Sequence, residues 1–556
     1  MDIPTTHAAT ADSAPGSAPI GGALARDHEF APIFDHRALE AEVRALWERH
    51  QVFRFDRTGS GPVFSVDTPP PYVSASHLHV GHAMSYSQAD FVVRYRRMRG
   101  ERVFYPMGFD DNGLPTERFV EQKYGVTAAE LPRAEFVARC LAETRQTALR
   151  YEDLWRRLGL SVDWSLRYST IDERCRRTAQ TAFITLYEAG HIRRAEDPIL
   201  WCPQCRTALA QADVDDLARR GRMYRITFAP AAGPHGGLPA EPLVIATTRP
   251  ELLPACVALY AHPRDPRYRQ IIGGRATVPI FGHQVPIRAD EGVDPDLGTG
   301  LMMVCTFGDG EDVARWRRDG LELRLVVTAD GRLGPPAGRY AGLPLDQARP
   351  AILAGLAEAG ALAGDHPVRQ TVGVHERCQT PVEFQVRPQW FVGLTAHRAR
   401  LRKRARELEW VPELMRRRLE DWIDGLKWDW NLSRQRHYGV PFPVWFCQGC
   451  GEPVLAERSA LPVDPLAERP PVAACRVCGG GEFTADPDVM DTWLTSSLTP
   501  QINDGWASES GPDPRLAPMS LRVQGFEIIR TWLFYTLVQS HLLFDRLPWR
   551  TVMISG

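Results

Sequence analysis

His79 and His82 stand three residues apart with Gly81 between them, shortly after the run Thr68-Pro-Pro-Pro-Tyr72. That spacing is close to one helical turn, so a helix would carry both imidazoles on one face. The preceding Pro62-Val-Phe-Ser-Val66 reads as a buried strand. The prolines end it because they cannot donate to a ladder. Ser74 to Ser76 suit a helix N-terminus, and a helical pattern runs from about Leu78 to Met98. Strand, tight turn and helix N-terminus make a place to hold polyphosphate, with Gly81 letting a bulky ligand approach the backbone. Taken alone, two histidines on a helix are more often solvated or core residues.

A second chemical cluster follows at Gly108-Phe-Asp-Asp-Asn112, at the end of the apolar segment Arg102-Val-Phe-Tyr-Pro106. A strand running into Gly-x-Asp sets acidic side chains at the carboxyl edge of a parallel sheet, where doubly wound folds bind their ligands. Two adjacent carboxylates there could grip an ammonium group; an Asx turn satisfying its own backbone is the competing use of Asp-Asn-Gly.

The third kind of chemistry is metal ligation. Cys447-x2-Cys450 and Cys475-x2-Cys478 are separated by 24 residues. Two such pairs can close a thiolate tetrahedron around Zn²⁺. Cys202-x2-Cys205 has no second pair of its own, but His375-x2-Cys378 offers the same spacing and would complete a Cys3His set. One or two structural zinc ions are expected, the first pinning together the two ends of a long insertion. Cys140, Cys175, Cys256 and Cys305 stand singly and read as packing residues.

These residues sit in a chain of 556 residues with 44% hydrophobic content and a formal net charge of -2. The length allows several domains, and the balance excludes a globally basic nucleic-acid-binding surface. Only three lysines, Lys123, Lys403 and Lys427, stand among 66 basic residues. No run of eighteen apolar residues suggests a membrane span, and a cytoplasmic location is expected.

The elements must position the clusters in this order. Residues 1–33 read as a disordered leader. Phe34 to His50 reads as a helix. Residues 34–200 read as the first half of an α/β domain, with helical patterns at Ala128 to Leu158 and Thr178 to Gly190. A knuckle and connection occupy 201–222. Residues 223–370 turn β-rich, with strands expected at Leu243–Pro250, Ala276–Ile280 and Leu301–Phe307. Knuckle closure and return span 371–445, a zinc-binding insertion 446–482, and the second half of the α/β domain 483–556, ending on a strand from Trp549.

In this order the segments resemble class I aminoacyl-tRNA synthetases, specifically the archaeal-like valyl-tRNA synthetases. His79-Val-Gly-His82 resembles the HIGH motif, and Gly108 to Arg118 resembles the Gly-x-Asp motif. Thr247-Thr-Arg-Pro-Glu-Leu252 and Cys305-Thr-Phe-Gly-Asp-Gly-Glu-Asp312 resemble the editing insertion. Asp491-Thr-Trp493 and Gln524-Gly-Phe-Glu-Ile-Ile-Arg530 resemble the later part of the catalytic domain. The resemblance implies a doubly wound, Rossmann-like α/β fold with an inserted β-rich editing domain. It implies ATP with Mg²⁺, valine and tRNA(Val) as substrates. His79 and His82 would then act on the phosphates, and Gly81, Gly525 and Glu527 would meet the adenylate. Pro71 and Trp493 would wall the amino-acid pocket, and Asp110 would hold the ammonium. Thr247, Thr248, Arg249, Asp309 and Asp312 would surround a mischarged ester, since an apolar pocket separates valine from threonine only about a hundredfold.

The family's lysine-rich KMSKS loop would follow the final strand, and no segment of this sequence resembles it. The resemblance therefore implies an N-terminal portion that needs a separate C-terminal fragment for full activity. A stand-alone editing hydrolase or a non-catalytic binding relative are the alternatives. Two departures touch amino-acid identity: Asn431 stands where relatives carry a small residue, and His77 lengthens the loop before His79. The isoleucine enzyme is the competitor.

Overall fold

The computed structural model describes residues 35–73, 78–230 and 243–555. Ser74 to Ser76, the leader and Gly556 lie outside the described residues. Helix His36–His50 belongs to a separate compact unit ending at Val52. Its start is capped by Asp35, whose carboxylate accepts from the backbone N–H groups of Arg37 and Ala38.

A five-stranded parallel sheet organises the α/β part of the chain. Its strands are β1 (Val63–Asp67), β2 (Arg102–Phe104), β3 (Glu409–Val411), β4 (Met519–Gly525) and β5 (Trp549–Ser555), in the order β3-β5-β4-β1-β2. Every neighbouring pair runs parallel. Helix α1 (Val80–Met98) follows β1 and precedes β2; helix α2 (Phe534–Phe544) lies between β4 and β5. From the central pair the chain thus winds outward in opposite directions. The carboxyl ends of β1 and β4 flank the switch point where doubly wound folds bind ligands. Phe64, Val66, Val103, Leu521 and Val523 pack one sheet face against Tyr86, Ala89 and Val93 of α1.

A buried ion pair ties the central strands. Asp67 on β1 receives the Arg522 guanidinium of β4 at 2.6 Å, both side chains fully buried. Arg522 lies against the faces of Trp532 and Trp549, and the Trp549 indole N–H donates to the same Asp67 oxygen at 2.8 Å. Replacing one partner would strand an uncompensated charge, which costs about 3–5 kcal/mol.

The insertion departs on a long antiparallel ribbon. Strand Val214–Pro230 pairs with Leu362–His375 from Val214 opposite His375 to Ile226 opposite Leu362. This continuous ladder crosses the expected boundaries at 222/223 and 370/371, because the connection is itself β structure. The distal sheet adds Leu243–Thr247, Cys256–Ala261, Arg275–Thr277, Gln284–Ala289 and Leu301–Cys305. Helices Gly310–Asp319 and Leu345–Glu358 also belong to it, which a β-rich reading of the segment did not anticipate. The helical pattern from Ala128 is likewise broken. A short turn, Ala128–Glu130, is followed by Pro132 as the cap of helix Arg133–Arg157.

Candidate active and editing sites

At the switch point, α1 begins with His79 as its N-cap, in extended backbone, and His82 in its first turn. His79 is therefore the residue that turns the chain into the helix. The two rings lie 3.9 Å apart, centre to centre. A Cβ on Gly81 would meet the His79 ring at 2.9 Å. The expected role of Gly81 changes accordingly: the space over its Cα is filled by the His79 imidazole, and glycine lets that ring fold against the helix. Burial, with His79 adding to it, pushes His82 down to about 4. His82 is thus neutral at pH 7, able to donate a hydrogen bond but carrying no positive charge. Its Nδ1 is buried and has no hydrogen-bond partner among the described residues.

Across the switch point β4 ends at Gly525. Glu527 is exposed and curls back so that its carboxylate occupies the place a Cβ of residue 525 would take. Gly525 and Glu527, both expected to meet the adenylate, are therefore brought together.

The Asp110 cluster lies beside the proline corner. Asp110 donates its backbone N–H to the Pro71 carbonyl at 2.9 Å, and Val73 donates back to the Asp110 carbonyl at 3.3 Å. This short parallel bridge holds Asp110 against Tyr72. The carboxylate is 2% exposed and accepts from the Thr170 hydroxyl at 2.8 Å. Burial raises its pKa to about 8, with the neighbouring Asp111 contributing. Burial likewise raises Asp111, to about 6, against the opposing Ser169 hydroxyl bond. The Arg377 charge opposes that rise at Asp110 only in part, leaving a desolvated carboxyl that a further cation would favour in its ionised form. Trp493 completes the wall: its ring meets Tyr72 edge-on at 6.1 Å. Its helix is capped by Asp491, which also receives the Trp430 indole N–H at 2.8 Å and Arg434 at 2.9 Å. Sequence reasoning missed Tyr72 in this wall, although it directly follows the proline run that was singled out.

A second site lies along the insertion, in a cleft of about 1520 Å³. Thr247, Thr248, Arg249, Asp309, Asp312 and Arg349 line it, and Leu200, Trp422, Trp428 and Arg530 also do. Asp309 caps helix Gly310–Asp319 by accepting the Asp312 N–H at 2.9 Å. Asp312, 8% exposed, accepts backbone N–H groups of Cys305 at 3.2 Å and Gly308 at 2.9 Å. Burial raises Asp312 to about 8, and the Asp309 charge adds to it. The Arg249 side chain is engaged differently from the expectation. Its guanidinium makes a two-pronged bond to Glu383 at 2.8 Å and a third to Glu251 at 3.1 Å, so it is held by the cleft wall. Arg349 reaches Glu251 from the other side at 2.7 Å. Arg349 and Glu383 were not found from the sequence because their partners are 98 and 134 residues away; Glu251 stands two residues from Arg249 but was not singled out.

The cysteine clusters assemble as spaced. The ligand atoms of Cys202, Cys205, His375 and Cys378 all lie within 4.8 Å of one another, as do those of Cys447, Cys450, Cys475 and Cys478. The separations include 3.5 Å for Cys202–Cys378, 3.6 Å for Cys205–His375 Nδ1, 3.4 Å for Cys447–Cys478 and 3.7 Å for Cys450–Cys475. A tetrahedron with Zn–S of about 2.3 Å has edges of about 3.7 Å, so both sets fit zinc with no open position. The first set sits at the ribbon root; the second joins strand Val444–Cys447 to its neighbours Pro453–Leu455 and Phe483–Ala485.

The family model described as tRNA synthetases class I (I, L, M and V) matches residues 42–556. The chain belongs to the class I tRNA synthetases. Valine–tRNA ligase of Salinispora arenicola (strain CNS-205) is 46% identical over 565 residues, covering 93% of this chain and 64% of that protein. Valine–tRNA ligase of Archaeoglobus fulgidus is 41% identical over 528 residues, covering 95% and 59%. That of Rickettsia rickettsii (strain Sheila Smith) is 43% identical over 538 residues, covering 95% and 65%. The chain thus spans 59–65% of the length of these curated relatives. A solved ternary complex, Agrobacterium radiobacter K84 agnB2 LeuRS-tRNA-LeuAMS, is 21% identical with a TM-score of 0.49, covering 94% of this chain and 68% of that one. No helix among the described residues is long and apolar enough to cross a membrane.

Proposed function

We propose that the chain carries the valine-activating and editing sites of a valine–tRNA ligase, acting on ATP with Mg²⁺, valine and tRNA(Val) in the cytoplasm. The observation that carries this is Asp110, a buried carboxylate near neutrality between an apolar wall and the switch point. It pairs with the α-ammonium of valine, while Pro71, Tyr72 and Trp493 enclose the side chain. The valine carboxylate attacks the α-phosphorus of ATP and pyrophosphate leaves. His79 and neutral His82 donate hydrogen bonds to phosphate oxygens as charge grows on them. Gly525 and Glu527 bound the ribose. The thiolate clusters hold structural Zn²⁺, in a compartment that keeps thiols reduced.

In the insertion, Asp312 pairs with the ammonium of a misplaced threonyl ester, Asp309 holds the helix end beneath it, and Thr247 and Thr248 line the approach. Arg249 shapes that wall through its two glutamates. The chain spans 59–65% of the length of its curated relatives, and the reading is confined to the two sites that it carries. The assembled cleft of the insertion supports a second reading, deacylation as the main activity of the isolated chain. Two assays test these together: calorimetric binding of a non-hydrolysable valyl-adenylate analogue, and deacylation of threonyl-tRNA(Val). Absence of both would refute the proposal; deacylation without adenylate binding would leave only the second reading.

A further inference from the structure

The Cys202–Cys205–His375–Cys378 cluster sits at the ribbon root, but it also reaches the amino-acid pocket. Between its last two ligands stand Glu376 and Arg377. The guanidinium carbon of Arg377 lies 4.9 Å from the centre of the Tyr72 ring, and its Nε lies 3.0 Å from the Glu376 carboxylate. Tyr72 is the wall residue that meets Trp493 edge-on and bridges to Asp110. The segment carrying Arg377 is itself held from several directions. The Glu376 N–H donates to the Asp213 carbonyl at 2.9 Å. Arg530, three residues beyond Glu527, reaches Asp215 at 2.7 Å and Glu376 at 3.6 Å. Asp213 also pairs with Arg434 at 2.8 Å, and Arg434 pairs with Asp491, the cap of the Trp493 helix.

We propose that Arg377 is a positioning residue for the amino-acid pocket. Held between two ligands of the first cysteine–histidine cluster, it stacks on Tyr72 and fixes that ring against Trp493. This rests on the assignment of the pocket to the amino acid. A planar guanidinium restrains the rotation of an aromatic ring it covers, whereas a lysine ammonium attracts the ring without matching its plane. The metal cluster would then set the width of the pocket as well as anchor the insertion.

The test is a calorimetric titration of non-hydrolysable valyl- and isoleucyl-adenylate analogues into the full chain and its variants Arg377→Ala, Arg377→Lys, Tyr72→Leu and the double Arg377→Ala/Tyr72→Leu. Arg377→Ala is expected to weaken the valyl analogue by about tenfold and the isoleucyl analogue by less, so that discrimination narrows. Arg377→Lys should fall between it and the unaltered chain. The double variant should bind no more weakly than Tyr72→Leu alone, because Arg377 acts through that ring. Zinc content and melting temperature should be unchanged in Arg377→Ala. Equal binding by Arg377→Ala, parallel weakening of both analogues, multiplying effects in the double variant, or loss of zinc would each overturn the proposal. Failure of the unaltered chain to bind either analogue would instead refute the amino-acid assignment of the pocket.

Discussion

Asp110 and Asp312 are the same side chain solved in two ways. Both are buried, and burial raises both to about 8. Asp110 sits at the edge of the parallel sheet, beside a second carboxylate, and takes its bond from the Thr170 hydroxyl. Asp312 lies in the first turn of a helix and takes its bonds from two backbone amides. A hydroxyl can turn or accept in its place; amides fixed in the backbone cannot. Asp110 is thus held by one hydroxyl and one backbone amide, that of Asn112, and Asp312 by two backbone amides. What they share is a desolvated carboxyl whose ionised form a nearby cation would favour, as the ammonium proposed at each site would.

If the two carboxylates serve separate sites, the largest effect comes from removing one. Asp312→Ala is expected to lower deacylation of threonyl-tRNA(Val) on the order of a thousandfold, as for loss of one member of a buried charge pair, and to leave adenylate-analogue binding unchanged. Equal loss at both sites would mean that the variant had damaged the fold. Next is the wall of the editing cleft. Arg249→Ala strands Glu383, while Arg349 still pairs with Glu251, and should destabilise the chain by about 3–5 kcal/mol, read as a drop in urea midpoint. Thr248→Ala should leave that midpoint unchanged.

pH sharpens the comparison. An aspartate in an unfolded chain ionises near about 4, whereas both carboxyls here ionise near 8. The folded, ligand-free form therefore keeps protons that the unfolded form has lost. Its stability should fall as pH rises from about 4 toward about 8 and level off above that. A bound ammonium selects the ionised form, so affinity for the valyl-adenylate analogue should rise about tenfold per pH unit from pH 6 and flatten near 8. Affinity independent of pH over that range would place the ammonium elsewhere. The smallest effect is expected at the phosphate end. Gly81→Ala pushes the His79 ring off its position and should weaken ATP binding by about threefold to tenfold, the scale of a strained rotamer, without touching deacylation.

Sequence alone carried far where the chemistry is local. The cysteine spacing led directly to two ligand sets that the fold assembles, because each pair needs only a turn to form. The parallel sheet was legible in the strand–turn–helix rhythm around His79 and Asp110. Other features depend on distant residues. Arg249 looks free in its own segment, yet Glu383 claims it from 134 residues away. Tyr72 looks like the end of a proline turn until Trp493 and Arg377 close on it. The two helices of the insertion, Gly310–Asp319 and Leu345–Glu358, were hidden by surrounding β segments, and the second contains Pro350. At Gly81 and Gly525 the atoms nearest an added Cβ belong to the side chains of His79 and Glu527, which the sequence did not link to them.

The most direct measurement is calorimetric titration of the valyl-adenylate analogue at pH 8 into the unaltered chain, Asp110→Asn and Asp312→Asn. Binding by the unaltered chain and Asp312→Asn, and none by Asp110→Asn, is the expected result. Asp110→Asn binding as tightly as the unaltered chain would contradict the assignment of Asp110 as the ammonium receptor of the synthetic site.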